Sequence, residues 1–139
     1  MSERPFITFA QAQAAIKAMS DKASEPPGTP VAMAIVDDTG NLIAYAKMDN
    51  LRMFSRRHAL RKAYTCATMG ADSGAHGEGL RSQGRSISDM GDHMLTPNQG
   101  GVVVRSKDGV IMGGIGVGGY PDGQDDEKLA RVGLEAMNI

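Results

Sequence analysis

The chain has 139 residues, with 15 Lys and Arg against 16 Asp and Glu and a formal net charge of −1. That length supports one domain, spanning 1–139, able to bury about two-thirds of the surface its unfolded chain exposes; the balanced charge gives no electrostatic case for nucleic acid or an anionic membrane. No run approaches the roughly 20 apolar residues of a membrane span, Met1-Ser-Glu-Arg-Pro lacks the apolar core of a secretory signal, and a single cysteine, Cys66, excludes an internal disulfide and fits a reducing, cytoplasmic compartment.

There is no Trp, and only three Phe and three Tyr stand beside ten Met and 18 Gly. Small side chains and methionine must therefore fill the core. In chain order, Thr8-x-x-Gln11 is a capping-box pattern that opens a first helix. Ala12, Ala15, Ile16, Met19 and Ala23 give it one apolar face, and Pro26, Pro27, Gly28 and Pro30 stop it. Val31 to Val36 reads as a strand, Asp37 to Asn41 as a turn and Leu42 to Met48 as the returning strand of a β-hairpin. The first of these strands is apolar on both faces, which an antiparallel strand with one wet face would not be. Ser55 is a natural N-cap for a second helix that runs to about Met69. Ala59, Leu60, Ala63 and Ala67 form its apolar stripe, and Arg56, Arg57, His58, Arg61 and Lys62 crowd its first two turns. Cations there oppose the helix dipole, so acidic neighbours, a partner subunit or an anionic ligand should offset them.

Gly70 to Gly100 is irregular, rich in Gly, Ser and Asp, with short helical turns expected at 77–83 and 88–94. A segment of that length is usually functional or mobile, and this one carries His76 and His93. It is expected to cover a pocket or to form a subunit contact. A second hairpin follows, in through Gly101 to Arg105, around Ser106 to Gly109 and out through Val110 to Val117. Its outgoing strand has glycine at 113, 114, 116 and 118, a side-chain-free wall suited to close packing or, as a minority reading, to a small ligand lying against Gly116 and Gly118. Pro121, Asp122 and Gly123 mark a turn, and the last helix is expected from Asp125, as N-cap, to Met137. Gly114, Gly116 and Gly119 formally spell G-x-G-x-x-G, but the sequence ends just after the following helix, so the second parallel strand of a dinucleotide fold is missing.

The two hairpins, each followed by a helix, read as a loose twofold repeat. Four strands with three clear helices predict an α+β fold in which helices cover one side of the sheet. The other side would then need the irregular segment or a second copy, and a homo-oligomer is expected.

Several segments resemble one known family: Ala34-Ile-Val-Asp37-x-x-Gly40-x-Leu42, Arg61-Lys62-Ala63-x-Thr65, Gly100-Gly101, Asp108-Gly109, Gly113 to Gly119, Gln124-Asp125-Asp126 and Ala130-x-x-Gly133-Leu134. By these the chain resembles the GlcG/HbpS-like family, also called the haem-degrading domain family, which includes the C-terminal domain of PduO-type proteins. The resemblance covers essentially the whole chain. It implies a profilin-like antiparallel sheet flanked by helices, assembly into oligomers and, in some members, binding of haem or a corrinoid-related partner; others accompany glycolate or diol catabolism. It fixes fold more firmly than function.

Two function classes stay open on the residues. In the first, the chain is a small-molecule-binding accessory protein of a catabolic pathway, haem- or corrinoid-related. Haem needs an axial ligand, the histidines are His58, His76 and His93, and Arg56, Arg57 and Arg61 could pair with propionates. In the second, it is a small cofactor-independent enzyme acting on an anionic carboxylate. Arg57, Arg61 and Lys62 would hold the carboxylate and His58 or His93 would move a proton. Thr65, Gly116, Gly118 and Asp125 complete the candidate ligand-binding set. The histidine spacing gives no metal motif, and Cys66 reads as a buried, inert thiol.

Overall fold

The computed structural model describes residues 4–139. Residues 1–3, part of the stretch read above for a secretory signal, lie outside the described residues. Helix α1 (Phe9–Ser24) starts at Thr8 with the expected capping box: Thr8 Oγ1 accepts the Gln11 N–H at 3.0 Å and Gln11 Oε1 accepts the Thr8 N–H at 2.9 Å. The strands are β1 (Ala32–Asp37), β2 (Leu42–Lys47), β3 (Gly101–Arg105) and β4 (Ile111–Gly118). They form one antiparallel sheet in the order β2-β1-β4-β3, so the two hairpins lie side by side and meet through β1 and β4. The fold is α+β, as the sequence predicts.

The helices do not share one side. On one face α2 (Met53–Met69) packs on Ala32, Ala34 and Val36 through Ala59, Ala63 and Ala67. On the other face Met33, Ile35, Ile115 and Val117 join α1 and α4 (Gly123–Ala136) through Met19, Leu129 and Ala130. β1 is therefore buried on both sides, which is why it reads as apolar throughout. The sheet already has a helix layer on each face, so the layer count no longer requires a second copy. The apparent repeat also dissolves: the inner strand is the first of its hairpin in one case and the second in the other, and α2 and α4 lie on opposite faces.

The glycines of β4 set how α2 sits. A Cβ on Gly114, Gly116 or Gly118 would run into the backbone carbonyl of Ala63, Ala59 or Ser55 respectively. Four residues of helix rise ~6 Å and two residues of strand ~6.8 Å, so the periods nearly match and α2 runs antiparallel along β4 on a bare backbone track. The wall holds a helix rather than a ligand at Gly116.

Two expectations are corrected at the helix ends. α2 starts at Met53 with Arg52 in the N-cap position and no side-chain cap; Ser55 is already inside the first turn and buried against β4. The N-cap of α4 is Asp122, whose carboxylate accepts the Gln124 N–H at 2.9 Å, and Asp125 lies in the first turn. Asp126, in the same first turn, is buried at 3% exposure.

The segment from 70 to 100 holds a full helix, α3 (Ser73–Ser82), and a 3₁₀ turn, Ile87–Met90, rather than two short turns. It is stitched down by polar contacts. Thr65 Oγ1 accepts the Thr96 N–H at 2.9 Å, and Tyr64 donates to Asp92 at 2.6 Å. At the start of α3, Ser73 Oγ and Asp72 Oδ1 accept the N–H groups of Gly101 and Val103, both at 2.9 Å. These side chains satisfy amides on the outer edge of β3, a row that would otherwise invite strand pairing.

Candidate functional site

A cleft of about 350 Å³ opens where the start of α2, the turn after β4 and the start of α4 converge, with Asn98 and Gln99 on its rim. His58 and Lys62 stand one helical turn apart and share the face of α2 that lines it. Arg52 and Phe54 form one lip, and Tyr120 and Pro121 the other. The Phe54 and His58 rings pack with centroids 3.9 Å apart.

The floor is a buried ion pair. Lys62 Nζ lies 3.0 Å from Asp126 Oδ2 and donates to the Val117 carbonyl at 2.8 Å. Asp126 Oδ1 accepts the Tyr120 N–H at 3.1 Å. Three elements, α2, β4 and α4, are thus tied at one point, and the 118–121 turn is held by its backbone. Burial pushes the Asp126 carboxyl above its ordinary value, against the pull of Lys62 and the Tyr120 amide.

His58 is the titratable group facing open space. Burial holds its imidazole below the usual histidine value; the neighbouring Phe54 backbone pulls the other way, and the charges of Arg61 and Lys62 add smaller pushes downward. Nδ1 is buried without a hydrogen-bond partner, so Nε2 is the nitrogen left accessible to the cleft. Near neutral pH this is a neutral imidazole with a lone pair to offer.

Of the residues singled out in the sequence, the structure brings His58, Lys62 and Gly118 to this cleft. Arg57 and His93 are exposed elsewhere, and Arg61 is half-buried outside the cleft lining. Thr65 is fully buried and anchors the loop at Thr96. Gly116 lies under α2, and Asp125 borders a smaller neighbouring cavity. Arg52, Phe54, Tyr120 and Asp126 escaped sequence reasoning. Arg52 and Phe54 directly precede the basic cluster, a signal that could have drawn them in; nothing local marks Asp126 as the partner of Lys62.

The family model described as "Haem degrading protein HbpS-like" matches residues 7–135. Among curated proteins no sequence matches the chain. A double mutant of HbpS from Streptomyces reticuli superposes with a TM-score of 0.85 at 29% identity, over 97% of this chain and 89% of that one. Protein ORFY of Klebsiella pneumoniae gives a TM-score of 0.85 at 24% identity, over 99% and 94% of the two chains. A PduOC:heme complex gives 0.84 at 21% identity, over 96% of each. The last two likenesses show the fold alone.

Proposed function

The chain belongs to the HbpS-like family of haem-degrading proteins, and from that premise we propose that the cleft at the start of α2 binds haem and that the protein is a haem-related accessory protein. The observation that carries this is His58. Its Nδ1 is buried, its ring is held by Phe54, and its Nε2 alone faces the cleft. A haem iron takes an imidazole nitrogen as axial ligand. The remaining residues fit the group. Arg52 would pair with a propionate, and Phe54, Tyr120 and Pro121 would flank the porphyrin. Bound there, haem would supply an iron centre capable of redox and oxygen chemistry. The chain's own part is to offer the nitrogen, orient the ring and hold the turn that forms the far wall.

The carboxylate-enzyme reading is less well supported. It needs Arg57, Arg61 and Lys62 to converge, whereas Arg57 and Arg61 do not line the cleft and the Lys62 ammonium is engaged by Asp126 and Val117. A role within a catabolic pathway and a corrinoid as the tetrapyrrole are supported only by family likeness. Self-association is part of the proposal: Phe6 and Phe9 are 61% and 67% exposed, and Met53 and Phe54 are also exposed, apolar surface that a second copy would cover; native mass spectrometry tests it. Among the described residues no helix is long and apolar enough to cross a membrane, and the lone, buried Cys66 fits a cytoplasmic setting.

Absorbance titration of the protein with haem is the deciding experiment. A saturable Soret shift is expected in the wild type and in His93→Ala, and its loss in His58→Ala. Equal shifts in wild type and His58→Ala would remove the assignment.

A further inference from the structure

Gln99 sits where the entry to β3 meets the starts of α3 and α4. Its neighbours pin the backbone on both sides. The Thr96 N–H is held by Thr65 Oγ1 at 2.9 Å, the Asn98 N–H by Thr96 Oγ1 at 3.2 Å and the Gly101 N–H by Ser73 Oγ at 2.9 Å. Two glycines make room for the residue. A Cβ on Gly74, in the first turn of α3, would stand 2.9 Å from Gln99 Cγ and 3.0 Å from Gln99 Cβ. One on Gly123, the first residue of α4, would stand 2.8 Å from the Gln99 carbonyl oxygen and 3.1 Å from its Cβ. The stem of this side chain is thus clamped between two helix starts, an approach that glycine permits.

The end of the same side chain is uncommitted. Gln99 is half-buried and lines the cleft, yet among the described residues its carboxamide makes no hydrogen bond. On its other side is a polar hollow with Glu78 and Arg81, and these two bind each other at 2.7 Å. A carboxamide carries two N–H donors and an acceptor oxygen. A fixed stem with a free polar end is what a preorganised binding group looks like, because its ordering is complete before the ligand arrives.

We propose that Gln99 is a specificity-determining residue of the cleft, whose side-chain N–H donates to a carboxylate of the bound tetrapyrrole. The inference rests on the haem reading of the cleft. Haem carries two propionates, and Arg52 is the one guanidinium in the cleft lining. The Lys62 ammonium is engaged by Asp126 and Val117, and His58 is the iron ligand in that reading. The second carboxylate therefore takes a neutral donor. Of the two carboxamides on the rim, Asn98 is exposed and Gln99 is the one held in place.

The test compares haem with its dimethyl ester, in which both propionates are capped, in absorbance titrations of the wild type, Gln99→Ala and Gln99→Glu in one detergent buffer. Glu keeps the stem between the two glycines and replaces the donor with a carboxylate, so a loss shared with Ala does not come from lost packing. Gln99→Ala is expected to weaken haem about tenfold, the factor that a hydrogen bond to a charged group is worth. Gln99→Glu is expected to weaken it further, and both variants should bind the ester as the wild type does. Wild-type haem affinity in both variants, or an equal loss for haem and ester, overturns the role of Gln99 and leaves the cleft standing. No binding of haem by the wild type sinks both.

Discussion

Lys62 and Asp126 meet at 3.0 Å with side chains only 6% and 4% exposed, joining the second helix of the chain to the last. Such a pair contributes little relative to well-packed apolar residues, but removing one partner leaves a buried charge alone, at a cost of about 3–5 kcal/mol. Lys62→Met and Asp126→Leu are each expected to lose stability of that order in urea unfolding. The double variant should recover much of the loss, because no charge is then stranded. Single variants within about 1 kcal/mol of wild type would show that the pair does not clamp α2 to α4.

Two glycines separate close packing from conformational freedom. In Gly116→Ala the new methyl would fall on the Ala59 carbonyl, a backbone atom with nowhere to go. A loss of about 3 kcal/mol or more is expected from such overpacking. Gly79 lies inside α3 with nothing within 4 Å of a Cβ, and Gly79→Ala should gain about 0.5–1 kcal/mol from helix propensity. Thermal melts of the two variants should move in opposite directions; a tolerated Gly116→Ala would contradict the packing of α2 on β4.

The hairpins, the first capping box and the two-sided burial of β1 were legible because each is written within a few residues: an Asp–Gly turn, Thr8 with Gln11, an unbroken apolar run. The placement of α2 was half legible. The glycines of β4 announced a close approach, and the matching small residues Ser55, Ala59 and Ala63 lay at helical spacing, but nothing in either segment named the other as its partner. The ion pair was hidden for the same reason. Asp126 and Lys62 are 64 positions apart, and each has an adequate local explanation, as a helix N-terminal acid and as one of several cations. Ser55 and Asp125 misled as caps because good capping residues are also common within first turns.

Cys66 is fully buried between α2 and the sheet, and burial pushes its thiol up to about 12. The thiolate is the reactive form, so at pH 8 the folded protein should resist iodoacetamide, and denaturant should release one reactive thiol per chain. Prompt alkylation of the native protein would show that the helix–sheet interface opens.

His58 gives a pH dependence whose sign follows from its environment. Its folded value lies below the ordinary histidine value of 6.5 through burial and the charges of Arg61 and Lys62. Between the two values the unfolded chain binds more protons than the folded one, so this group's contribution to stability rises with pH across that window and is lost as pH falls through the folded value. Binding should follow the same proton, since an axial ligand must present a bare Nε2. Haem affinity is therefore expected to hold through neutral pH and to fall at a midpoint below 6.5. Arg61→Ala removes one of the repelling charges and should move that midpoint upward, whereas Arg57→Ala, whose side chain is not among the groups acting on His58, should leave it in place. Haem titrations across this range, read beside the His58 ring proton shift by NMR, check both statements. A midpoint at or above 6.5, or no displacement in Arg61→Ala, would mean that another group carries the iron.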